Sequence, residues 1–228
     1  MDTFAFREKF RKEIIPQWYR GQLHLIFSGS ILLGVMTSAL SKLVDPNLAL
    51  FLMIPGTILL GNFVVFFIHK YPLHRKLFPS VFYKIHTRWH HRFFTHEHLV
   101  CERAQDMYML LFPMHVVFGV NLIISPLVAS LFWINGDHNI GWMVMFCTAM
   151  YFSLYEIFHS ASHLPKDHLV LKIPGFAYMR EHHRLHHAPQ YMSQWNFNVV
   201  YPLADFLMGT SLKHSQRASK QSLPERSL

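Results

Sequence analysis

The sequence predicts an all-α fold embedded in a membrane, with four transmembrane helices and a helical cap over their cytoplasmic side. Three observations carry that prediction. Four long stretches lack Asp, Glu, Lys and Arg; twenty of the 21 Lys and Arg fall in segments that these stretches place on one side; and the 18 histidines concentrate in the same segments. With 228 residues, 51% of them hydrophobic and 15% charged, the chain is too apolar to be disordered. It shows no repeat of roughly 20 to 50 residues, and its length suits a single domain, 1–228. Two cysteines, Cys101 and Cys147, are too few for a disulfide scaffold or a cysteine-based zinc module.

The elements follow in order. Residues 1–20 are basic, with Arg7, Lys9, Arg11, Lys12 and Arg20, and lack an apolar run before a small-residue cleavage site. They therefore read as a juxtamembrane segment rather than a signal peptide. A helix crossing a hydrocarbon core of about 30 Å needs roughly 20 apolar residues. Spans are expected near 21–41, 46–68, 107–134 and 139–162, the last reaching its length by continuing past Glu156 to Ser162, into the headgroups. Runs such as LALFLMIPGTILLGNFVVFFI have no polar face for water. The segment from Trp195 to Met208, interrupted by Pro202 and Asp205, is expected to lie in the interface, and 211–228 form a polar tail. Five Lys or Arg precede the first span, seven lie between the second and third, and eight follow the fourth, while the other two connections hold only Lys42. The positive-inside rule then puts both termini and the middle loop in the cytoplasm. A basic collar facing anionic headgroups accounts for the net charge of +8, and no nucleic-acid-binding motif competes with that explanation.

The histidines form four clusters, all on the predicted cytoplasmic side. His69 and His74 flank KYPL at the end of the second span, where Pro72 is expected to end the helix. His86, His90 and His91 follow as HxxxHH, with His96 and His98 close behind; His159 and His163 end the fourth span; and EHHRLHH supplies His182, His183, His186 and His187. On an α-helix, residues four apart share a face, so His86/His90, His159/His163 and His183/His187 are each expected to act as a two-pronged claw. His186 and His187 point about 100° apart, which lets one cluster address two metals. So many imidazoles packed together would leave buried donors and acceptors unsatisfied unless a metal took the lone pairs. Imidazole suits zinc, iron, copper and nickel alike. A structural zinc site closes with four ligands, whereas this number of histidines suggests two ions with open positions for chemistry. Carboxylate-bridged di-iron bundles need glutamates that are missing here, HExxH is absent, and no dinucleotide fingerprint or P-loop is present, so any reducing equivalents come from another protein.

HKYPLH, HTRWHH and HRLHH, with YEIFH before His163 and the ending NFNVVYPLADFLMGT, resemble the histidine boxes and flanks of the fatty acid hydroxylase/sterol desaturase superfamily over His69 to Thr210. The resemblance implies metal ligands at His69, His74, His86, His90, His91, His159, His163, His183, His186 and His187, with His182, His96 and His98 extra to the set. It implies two iron ions, for which zinc can substitute, and dioxygen as co-substrate in the hydroxylation or desaturation of an aliphatic C–H bond of a membrane lipid. No fused haem domain is present, so the electron donor is expected to be a separate cytochrome b5 or ferredoxin-type protein. Expected partners of the ligand histidines are Glu156, Glu181, Asn196 and Asp205, beside His182 and His96. Phe93, Phe94, Tyr155, Phe158 and Trp195 are the candidates for lining a lipid channel. The tail QSLPERSL carries no ER-retention signal, so a bacterial inner membrane and the ER fit equally. The rival reading is a histidine-rich membrane metal transporter or metal-binding protein without redox catalysis; transporters, however, set their ligands near the bilayer midplane, where only His115 falls.

Overall fold

A computed structural model describes residues 2–212, so most of the polar tail, with His214, lies outside the described residues. Among the described residues every regular element is a helix. Helix α1 is Thr3–Glu13 and α2 is Gly21–Ser41. Helix α3, Leu48–Leu73, opens as a 3-10 turn and closes as a π-helix. Helix α4 (81–93) is π-helical through Lys84–His90. Helix α5 is Met114–Ile134, α6 is His138–Ser162, α7 is Phe176–His186 and α8 is Leu203–Leu207.

Helices α2, α3, α5 and α6 are long and apolar enough to cross a membrane. Their outer faces carry Leu25, Ile26, Phe27, Leu33, Leu60, Ile124, Leu127 and Leu131 in the open, a surface suited to lipid rather than water. Helix α6 is the hub, packing against α2, α3, α5 and α7. Small residues let the backbones close in: Gly61 of α3 meets the Tyr151 ring, and Gly141 of α6 meets Trp133. Gly21 is tightest of all, because a Cβ there would stand 1.9 Å from the Ala104 carbonyl oxygen. Backbone cannot swing aside as a side chain can. Gly21→Ala is therefore expected to destabilise the protein by about 2–3 kcal/mol, measured as a lowered thermal midpoint in detergent.

Two boundaries differ from the sequence expectation. The third span starts at Met114 rather than near 107, because residues before Pro113 form a separate 3-10 turn, Ala104–Met109. The second runs on through Pro72 to Leu73. A proline cannot donate to the residue four back and its ring collides with that carbonyl, but the wider π turn relieves the collision and the helix continues.

Helix α1 departs from a simple basic collar. Arg7 and Arg11 point inward beside Phe10, while Lys9 and Lys12 face out. Arg7 donates to the carbonyls of Phe93 and His98 and pairs with Glu102. Arg11 holds Asp106 with two hydrogen bonds of 2.8 and 2.7 Å. Helix α1 is thus latched onto the segment 93–106, and Phe10 joins Phe93, Phe94, Leu99 and Met109 in one apolar cluster.

Candidate metal centre

The ends of four elements converge. The close of α3 brings His69 and His74, α4 brings His86, His90 and His91, the end of α6 brings His159 and His163, and α7 brings His183 and His186 with His187 next to it. They sort into two groups whose ligand atoms lie within 4.8 Å of one another: His69, His74, His86, His91 and His186 in one, His90, His163, His183 and His187 in the other. His159 stands beside the second group, its ring 5.1, 5.1 and 5.0 Å from those of His90, His163 and His183, with a buried Nε2 that has no partner.

The π-helix decides the sorting in α4. Its hydrogen bonds run between residues five apart, so His86 and His91 point the same way and their Nε2 atoms approach to 3.1 Å, while His90 turns to the other group. The expected His86/His90 claw is therefore replaced by His86/His91. The ordinary α turn of α7 keeps the expected pair: His183 and His187 lie in one group, with Nε2 atoms 2.9 Å apart. His186 goes to the other group, so the pairs His90–His91 and His186–His187 are each shared between the two.

Hydrogen bonds fix which nitrogen is free. The Nδ1–H of His69 donates to the carbonyl of Phe197, that of His186 to Trp195, His90 to Met109, His163 to Leu99 and His187 to Phe94. His74 donates through Nδ1 to the Thr87 hydroxyl, whose own proton goes to Leu73. With Nδ1 protonated, each neutral ring presents a bare lone pair at Nε2. Yet His74 and His186 bring their Nε2 atoms to 2.9 Å, and those of His69 and His86 stand 2.8 Å apart. In the second group His183 lies 3.2 and 2.9 Å from His163 and His187, and the buried Nε2 of His90 has no protein partner. Between His74 and His186, both protonated at Nδ1, the facing lone pairs repel, and a cation between them removes the repulsion. Two metal–nitrogen bonds of about 2.1 Å at right angles put their nitrogens about 3.0 Å apart, against roughly 3.4 Å in a tetrahedron. The closest Nε2 pairs, 2.8–3.2 Å apart, lie near the first value, within groups whose ligand atoms are up to 4.8 Å apart. The donor set fits two transition-metal ions.

Burial keeps these rings in the ligand form. Desolvation, reinforced by neighbouring imidazoles, lowers His74 to about 2 and His90 to about 4. The same causes hold His86, His91, His163, His183, His186 and His187 well below the usual histidine range. No cysteine joins either group, and burial pushes the Cys101 thiol up to about 12.

The residues expected to support the ligands divide. Asp205 accepts from His182 Nε2 at 3.1 Å and from the backbone N–H of Phe197 and Asn198. Asn196 donates to the His182 carbonyl. Glu156 instead accepts from the Phe112 N–H, Glu181 takes both hydrogen bonds of Arg184, and His96 faces Glu97 at 3.9 Å. His98 lies against Phe4. Sequence reading missed the main supports, five backbone carbonyls, because any residue type supplies one. Of the aromatics, Phe94 lies on His163 with centroids 4.4 Å apart, and Tyr155 is 5.6 Å from His159. Phe93 turns away toward Phe10 and Arg7, Phe158 stacks on Phe176, and Trp195 contributes its carbonyl. Phe197, which was not anticipated, packs on His69, His74 and His186.

No family model, curated protein or solved structure matches the chain. The reading of function therefore rests on the site itself.

Proposed function

We propose that this protein is a membrane-embedded di-iron oxidoreductase that uses dioxygen to hydroxylate or desaturate an aliphatic C–H bond of a membrane lipid. The observation that carries the proposal is the pair of adjacent all-imidazole groups, with Nε2 atoms turned inward and 2.8–3.2 Å apart, at the ends of helices suited to lipid. His69, His74, His86, His91 and His186 would hold one ion, and His90, His163, His183 and His187, with His159 adjoining, the other. Bound iron would supply dioxygen activation. In hydroxylation, R–H, O2, two electrons and two protons give R–OH and water. In desaturation, the same oxidant and electrons remove two hydrogens and give two waters. We place the histidines and both termini on the cytoplasmic side, where the basic segments lie, and assign the electrons to a separate acidic carrier that docks there.

The chain's own contribution is to orient and to exclude. Carbonyls hold the imidazoles by Nδ1, so the rings cannot rotate out of place. Phe94 and Phe197, both fully buried, wall the two groups with apolar surface. A dry wall keeps a reactive site from being quenched by water and suits an aliphatic chain. No general base acting on the substrate is required, because an alkyl C–H bond has no acidic proton for a side chain to take; the two protons are consumed at dioxygen.

The test is isotopic. Anaerobically purified, iron-loaded protein in nanodiscs of host lipid receives 18O2 and electrons from a ferredoxin and its reductase. Lipids carrying one added 18O, or lacking two hydrogens, are expected in proportion to protein. Zinc as the sole metal taken up, or no oxidised lipid with iron bound and electrons supplied, would overturn the proposal in favour of a metal transporter or metal-binding protein.

A further inference from the structure

We propose that Asp205 is a positioning residue for the ligand rings of the five-histidine group, and not for those of the other, acting through the peptide between Phe197 and Asn198. The inference rests on the metal-binding reading above. Asp205 is fully buried and accepts four hydrogen bonds: from the N–H of Phe197 at 2.9 Å and of Asn198 at 2.7 Å, from the Thr210 hydroxyl at 2.7 Å and from His182 Nε2 at 3.1 Å. The Asn198 N–H and the Phe197 carbonyl belong to one peptide plane, and that carbonyl accepts the Nδ1–H of His69. Charge on the carboxylate polarises the peptide, makes its oxygen a stronger acceptor and raises electron density at His69 Nε2. This is a carboxylate–histidine support with an amide interposed.

The same short segment supports a second ligand. The peptide between Trp195 and Asn196 gives its N–H to the Thr210 carbonyl and takes the Nδ1–H of His186 on its own carbonyl. Thr210 is in turn tied to Asp205 twice, through its hydroxyl and its N–H. Asn196, at φ 61°, lies in the left-handed region that asparagine tolerates. From there the carbonyls on either side of it both reach ligands. The second group meets these supports only through His182, next to His183, which bonds Asp205 by its ring and Asn196 by its carbonyl; none of them bonds a ligand ring of that group. Its carbonyls come from Phe94 and Leu99, on the segment latched by Arg7 and Arg11, and from Met109, at the end of the 3-10 turn that holds Asp106. Two ions would thus sit on two separately anchored lengths of backbone.

That separation gives the test a readout other than turnover. Full-length protein is titrated anaerobically with ferrous ion, and with cobaltous ion for its visible spectrum. Two single-site backgrounds are used: His163→Ala, which leaves the five-histidine group, and His74→Ala, which leaves the other. Asp205→Asn is expected to weaken binding 10–100-fold in the first background, with a shifted cobalt spectrum, and to change it less than twofold in the second. Equal weakening in both, none in either, or weakening only in the second would overturn the inference. If Asp205→Asn lost its helical circular dichroism, Thr210→Val decides, since it keeps the charge and removes one hydrogen bond. A loss of about threefold in the first background alone supports the inference, and an unchanged or parallel loss overturns it. A parent chain that took up neither metal would overturn the metal-binding reading itself, whereas two ions bound with no selective effect of Asp205→Asn would leave that reading standing.

Discussion

The double variant His90→Ala, His186→Ala is expected to lose nearly all of the metal that the parent protein carries, which should approach two irons per chain in anaerobic preparations. His90 closes the π-helical stretch of α4 and His186 closes α7, and each belongs to a different group. Each substitution removes one inward lone pair and leaves an apolar gap beside imidazoles that have no water to turn to. Single variants should each lose about one ion, and the double variant both. That arithmetic separates two sites from one shared pool, in which either single change would cost the same fraction of everything. Metal content by elemental analysis reads the result, with circular dichroism to show that the helices survive. Metal unaffected by the double change would place the bound ions elsewhere and remove the basis for di-iron chemistry.

How much of this was legible in the sequence depends on the range of the interaction concerned. The spans were legible because a bilayer imposes a length and a polarity that local composition must meet; Gly21–Ser41 begins and ends where the charge-free stretch does. The histidine clusters were legible because their spacing is local and their number exceeds what solvent exposure or capping needs. The register within α4 was not. A π turn adds one residue to the repeat, and nothing in KIHTRWH announces it; the cost of the wider turn is met by where His86, His90 and His91 must point, a tertiary requirement. The backbone supports were hidden for a different reason, since the carbonyls of Phe94, Leu99 and Phe197 carry no side-chain signature. Glu156 was plausible as a support by its distance of three residues from His159, but the helix aims it at the Phe112 N–H. The N-terminal basic run shows the limit of charge counting: Arg7 and Arg11 count toward the positive-inside bias, and yet both are buried against acidic and carbonyl partners.

Asp106→Ala is expected to be the most destabilising single change outside the histidines. Asp106 is fully buried and takes two hydrogen bonds from Arg11, while also accepting the N–H groups of Glu102 and Arg103. For Arg11, burial opposes the charge, but hydrogen bonds and attraction from Asp106, with help from Glu8 and Glu102, more than offset it and hold the guanidinium above its ordinary range. Removing the carboxylate would leave that cation buried with only Glu8 and Glu102 for partners, and both, being exposed to solvent, could compensate only weakly. Breaking one side of a buried pair costs about 3–5 kcal/mol, which for a chain of this size lowers a thermal midpoint by roughly 10 °C. The damage should also reach the second metal group before the first, because Leu99 and Met109 lie on the segment that Asp106 anchors. Replacing both partners, Arg11→Met with Asp106→Leu, removes the stranded charge and should recover most of the loss. The part not recovered belongs to the orphaned N–H groups of Glu102 and Arg103. A double variant no more stable than Asp106→Ala alone would show that the pair's charge is not what anchors α1.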